Sequence, residues 1–157
     1  FSGLSSPAVG IFHPAGGTII YEIAGPDVMN QSGPNPMGRW IFTMSFEVKN
    51  IVTNAAGSSD GNDILAVLVG VKPAICEKIN TKLGLPISPF PSVTGSAYST
   101  DLLNDPTNYM DNSYVVPSSE SVIGGGASDS ALSGTYEGCY QETVSGNYVY
   151  YSVISGR

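Results

Sequence analysis

The two cysteines, Cys76 and Cys139, restrict the possible folds of this chain more than any other feature. A bond between them would close a loop long enough to restrict the unfolded chain by about 4 kcal/mol in a loop-entropy treatment, a large part of a domain's net stability. The composition around them favours pairing. Only 12% of the 157 residues are charged, thirteen acidic against six basic for a net charge of −7, and the polarity comes instead from Ser, Thr, Asn, Gly and Pro. Such a surface suits an oxidising compartment, where two Cys pair more often than they stay as thiols. The alternative that the residues leave open is a pair of buried free thiols.

Apolar residues make up 41% of the chain, enough for a packed core, and its length is that of one domain, so residues 1–157 are expected to form a single globular unit. A nucleic-acid partner would need a basic face; only Lys72, Lys78 and Lys82 come near each other, with Glu77 among them, so nucleic acid is rejected as a partner. Anionic lipid is disfavoured for the same reason. The longest apolar run, Ile64 to Val71, is far too short for a membrane span and is closed by Lys72-Pro73. The sequence opens at Phe1 without Met or a leader pattern, and a mature or trimmed product is expected.

Along the chain, Pro7, Pro14 and four Gly exclude a long helix from the first seventeen residues, and Thr18–Ile23 reads as a strand. Residues 25–39 read as a surface loop. Phe42, Met44, Phe46 and Val48 then alternate with Thr43, Ser45, Glu47 and Lys49, predicting a strand wet on one face, opened by Trp40 and Ile41. Residues 50–60 form a loop of small residues. Asp60-Gly61-Asn62-Asp63 before Ile64–Leu68 predicts a short capped helix. A second helix is predicted over Ala74–Leu83, with Pro73 in its first turn, Gly84 as its cap, and Cys76 bordering the Ile75/Ile79/Leu83 stripe.

From Pro86 to Gly134 periodicity is lost and a long surface connection is expected, with Tyr114-Val115-Val116 as a minor strand. Thr135–Thr143 and Asn147–Ile154 around Ser145-Gly146 predict an antiparallel hairpin, with Val149, Tyr151 and Val153 on one face and Tyr148, Tyr150 and Ile154 on the other. A Cys76–Cys139 bond would tie the second helix to this hairpin and fasten the connection at both ends.

No catalytic constellation stands out. His13 is the only histidine, in a Pro/Gly-rich stretch, and no GxSxG elbow, phosphate loop, dinucleotide fingerprint or CxxC pair occurs. Among the carboxylates Asp101, Asp105, Asp111, Glu120, Glu137 and Glu142, nothing singles out a glycosidase pair. Asp60, Asn62 and Asp63 have oxygen ligands suited to calcium without EF-hand spacing, and helix capping explains them equally well. Phe90, Tyr98, Tyr109 and Tyr114 could form a contact surface, whereas Tyr148–Tyr151 are read as sheet packing.

The segments VKPAICEKINTKLGL (Val71–Leu85), YEGCYQETVSGNYVYYSVISGR (Tyr136–Arg157) and FHPAGGTIIY (Phe12–Tyr21) resemble the globular head of type IV pilin-like proteins, the minor pilins and pseudopilins of Gram-negative bacteria. The resemblance implies an α+β head: an antiparallel sheet packed on short helices, with Cys76 and Cys139 bounding a displayed loop over residues 86–134. The family's N-terminal hydrophobic helix, its route to membrane and filament core, is absent from the sequence. Function is accordingly expected to be that of a non-enzymatic structural or assembly subunit of a type IV pilus-like or type II secretion-like filament, secreted or at a bacterial cell surface. Its partners would be other filament subunits, with a surface receptor or glycan also possible, and no cofactor is required. The competing expectation is a secreted adhesin or carbohydrate-binding module.

Overall fold

Pro73 and Gly84 bracket the helix of this protein. In a computed structural model that describes residues 24–36, 38–51, 63–94 and 121–156, α1 spans Pro73–Leu83. Pro73 has no N–H to lose in a first turn whose N–H groups have no intrahelical partner. Gly84 ends the helix in the left-handed region at φ 73°, and the N–H groups of Gly84 and Leu85 satisfy the carbonyls of Thr81 and Asn80 at 3.2 and 2.8 Å. The six strands among the described residues are β1 (Ile41–Val48), β2 (Asp63–Val69), β3 (Ser92–Val93), β4 (Ser121–Ile123), β5 (Glu137–Glu142) and β6 (Tyr148–Ser155).

They form one sheet in the order β3-β5-β6-β2-β1-β4. The four inner strands pair antiparallel, but β3 runs parallel to β5 and β4 parallel to β1. This corrects the expected α+β pilin-like head with an antiparallel sheet on short helices: the sheet is mixed and curls towards closure, and α1 is the only α-helix among the described residues. The segment after β4 draws the two edges together. Ser92, on β3, gives its N–H to the Ser128 carbonyl at 3.2 Å, and the Ser128 hydroxyl returns a bond to the Ser92 carbonyl at 2.9 Å. Val93 and Ile123, from opposite edges, share one buried core. Drawing the two ends together in this way shields part of the sheet's edges.

The helix predicted at Ile64–Leu68 is instead β2, with Asp63 as its first residue rather than a helix cap. A short continuous apolar run fits either a buried helix or a strand covered on both faces. Here β2 lies between β1 and β6. Leu65, Val67 and Val69 point into the inner core, while Leu68 joins a second cluster on the outer face. The expected unbroken connection over residues 86–134 is also corrected, since β3, β4 and a 3-10 turn at Ser130–Leu132 lie within it. The expected strands at Thr18–Ile23 and Tyr114–Val116 fall outside the described residues.

The simple alternation predicted for β1 is broken by a bulge. Thr43 pairs with Leu65 and Phe46 with Asp63, so β1 has one residue more than its partner across this interval. The extra residue shifts the phase. Ile41 faces inward before the bulge, and Phe46 and Val48 face inward after it. Glu47, expected on a wet face, is only 6% exposed.

The inner core comprises Ile41, Phe46, Val48, Ile51, Leu65, Val67, Val69, Val93, Ile123, Leu132, Tyr140, Val149 and Tyr151. The β5–β6 hairpin forms as the sequence predicts, with Val149, Tyr151 and Val153 packed on that core and Ile154 exposed on the other side.

Candidate functional site

The outer face of the sheet carries the covalent bond and most of the aromatic side chains that remain partly accessible. Cys76, on the inward side of α1, is bonded to Cys139 on β5, with their Cα atoms 5.4 Å apart and both residues 0% exposed. The expected clamp between helix and hairpin is therefore present. Around it Met29, Leu68 and Val71 are buried, and Ile75, Ile79, Trp40, Phe90, Tyr148 and Tyr150 pack against them.

A second, polar connection duplicates the disulfide. Asn80, one helical turn beyond Cys76, is fully buried; its Nδ2 donates to the Cys139 carbonyl at 3.0 Å and its Oδ1 accepts the Cys139 N–H at 2.9 Å. The reason lies in the ladder. Alternate residues of β5 direct their backbone groups towards β3, where Gln141 and Thr143 bond the carbonyls of Pro91 and Val93 at 2.8 and 3.1 Å. β3 is too short to reach Cys139. The Asn80 carboxamide, which holds the same donor and acceptor as a peptide group, takes the place of the missing strand residue.

Next to this clamp, Trp40 meets Tyr150 edge-on with centroids 5.9 Å apart, and Phe90 meets Tyr148 in the same way at 5.0 Å. The Tyr150 hydroxyl donates to Glu137 at 2.8 Å. Burial pushes the Tyr150 phenol up to about 12, and the hydrogen bond to Glu137 and its nearby negative charge add to the effect. The result is an aromatic ledge with an exposed carboxylate at one end.

Three buried carboxylates, Asp63, Asp129 and Glu142, hold backbone. Asp63, 1% exposed, accepts the Val48 N–H at 2.7 Å beside the bulge. Asp129 accepts from Gly124 and Gly126 at 2.8 and 2.7 Å, which shapes the closure segment after β4. Gly124 sits at φ 82°, and an added Cβ would come within 2.6 Å of the Ser133 nitrogen, so only glycine fits. Glu142 accepts from Val144 and Ser145 at 2.8 and 2.6 Å and fastens the β5–β6 turn.

Of the calcium candidates, Asp63 is thus bonded into the sheet, while Asp60 and Asn62 lie outside the described residues, as do His13, Asp101, Asp105, Asp111 and Glu120. Glu137 and Glu142 lie at opposite ends of β5, one exposed and the other buried. Among the described residues no group of three His, Cys, Asp or Glu side chains could hold a metal ion, and no helix is long and apolar enough to cross a membrane. The sequence reading missed Asn80, Asp129 and Trp40. The position of Asn80 one turn after Cys76 on the helix face was the one available signal.

Fold and site together define a disulfide-stapled domain: a curled mixed sheet with one helix docked on its outer face. No family model, curated protein or solved structure matches the chain.

Proposed function

We propose that the chain works by contact and not by catalysis, as a structural or assembly subunit of an extracellular filament. The observation that carries this reading is exposed apolar surface at the end of the β5–β6 ladder. Tyr136 is 61% exposed and Ile154 is 54% exposed, and among the described residues Leu83, Ile87 and Val144 are the other large apolar side chains left exposed. The Val153 N–H bonds the Tyr136 carbonyl at 2.7 Å, which brings the two neighbourhoods together at one end of the sheet. Exposed apolar side chains grouped in this way on a rigid ladder suit packing against a neighbouring subunit. The covalent clamp suits the extracellular setting. The filament would be of the type IV pilus-like or type II secretion-like kind, and the reading rests on these features, not on a pilin-like sheet.

The test is to replace both residues, Tyr136→Asp with Ile154→Asp, and measure self-association by sedimentation and incorporation into sheared surface filaments of the producing cell. Both are expected to be lost while the disulfide and the melting temperature are kept. Unchanged sedimentation and unchanged incorporation would remove the reading.

The Trp40–Tyr150–Glu137 ledge favours a second reading, a carbohydrate-binding module, because aromatic rings beside a carboxylate can stack on and hydrogen-bond to a sugar. A glycan array read with and without calcium tests it. Binding that disappears in Trp40→Ala is the expected result, and an array blank in both conditions would exclude it.

A further inference from the structure

Asn30-Gln31-Ser32 is the only Asn-x-Ser/Thr triplet in the sequence. All three residues are exposed and stand on a turn that the fold holds firmly from below. Met29, the preceding residue, is 0% exposed and bridges to Val71. The Asn30 N–H bonds the Gly70 carbonyl at 2.8 Å, and the Gly33 N–H bonds the Asn30 carbonyl at 2.9 Å, closing a β-turn over 30–33. Within that turn the Asn30 Oδ1 accepts the Ser32 N–H at 3.1 Å. The turn therefore uses the carboxamide oxygen, and among the described residues no hydrogen bond engages Nδ2. Flanking residues Gly25, Pro26 and Asp27 are exposed as well.

We propose that Asn30 is an acceptor site for an N-linked oligosaccharide. The triplet has the residue types that this modification requires, with a hydroxyl two places after the asparagine and no proline between. The Cys76–Cys139 bond indicates passage through an oxidising compartment, where such transfer takes place. In the step, Asn30 Nδ2 attacks the anomeric carbon of a lipid-pyrophosphate-linked oligosaccharide. The new N–C bond forms as the C–O bond to pyrophosphate breaks; the lipid pyrophosphate leaves with the electron pair, and the amide proton passes to a base of the transferase. Nothing is oxidised or reduced. Because Oδ1 keeps its bond to the Ser32 N–H, the turn survives the modification, and the glycan projects from an exposed turn beyond Ala24, Val28 and Met29, which pack on the core.

The experiment is secretion of the full chain, behind a secretory leader, from cultured cells that carry out N-glycosylation. Intact mass and gel mobility are then compared before and after peptide-N-glycosidase treatment. One glycan is expected, removable by the enzyme with Asn30→Asp conversion read by peptide mass. It should be absent in Asn30→Gln and in Ser32→Ala and retained in Ser32→Thr. Ser32→Ala leaves the turn-forming asparagine in place, so the comparison stands even if Asn30→Gln fails to fold. A secreted, disulfide-bonded chain with the mass of the bare polypeptide would overturn the proposal.

Discussion

The inner and outer faces of the sheet are both apolar, but they are held by different means. Inside, thirteen buried side chains among the described residues, drawn from all six strands and the segments beside them, pack with no covalent help. Outside, Met29, Leu68, Val71 and the two cysteines are the buried apolar side chains among the described residues, the surrounding rings are partly open, and the helix is fastened by a disulfide and by the Asn80 carboxamide. A curled sheet surrounds its inner side chains from all directions, whereas a single helix covers only part of an outer face. Where coverage is partial, specific bonds supplement packing.

Substitutions and an alkaline titration break or sharpen this contrast. The largest effect is expected from the inner face: Phe46→Ala should destabilise by about 3–5 kcal/mol in urea unfolding, because a closed core cannot collapse around the cavity. The outer face should respond next. Removing the disulfide in the Cys76→Ala/Cys139→Ala double variant should lower stability by about 2–4 kcal/mol, with β-sheet circular dichroism kept because the inner core is untouched. Asn80→Ala should cost about 1–3 kcal/mol, since it strands the Cys139 N–H and carbonyl without partners. If the two outer connections are redundant, Asn80→Ala will cost more in the double cysteine variant than in the parent; strict additivity would show that they act independently.

The last contrast is alkaline. Burial is the main cause that pushes both Tyr151, inside, and Tyr150, outside, up to about 12 from an ordinary value near 10. A group with a raised folded value stabilises fully below its unfolded value, so stability should fall as pH rises from 10 through 12. Glu137→Gln should move the Tyr150 titration down, read by phenolate absorbance. The inner Tyr151, for which Glu137 is the weakest cause, should barely shift.

What the sequence revealed follows from the same contrast. Local rules suffice for α1, set by Pro73 and Gly84, and for the β5–β6 hairpin, set by its alternation around Ser145-Gly146. Pairing of the cysteines was readable from composition. The identity of β2 was not, because Ile64–Leu68 is covered on both faces and a strand so placed loses the alternation that marks it. The β1 bulge shifted Ile41 against Phe46 for a reason that lies in the partner strand. β3 and β4, two and three residues long, exist only through pairing with β5 and β1 and carry no pattern of their own. At the candidate site Cys76 and Cys139 were legible, whereas Asn80 and Asp129 act by side-chain bonds to distant or turn backbone that no spacing announces.

The Asn80 carboxamide has one more consequence. A strand margin left open beyond β3 would offer its peptide groups to any extended segment passing by, the usual seed of domain swapping and amyloid-like stacking. With Asn80 seated at Cys139 that docking position is taken by the chain's own helix. At this margin crowded molecules are thereby kept from adding strands to one another.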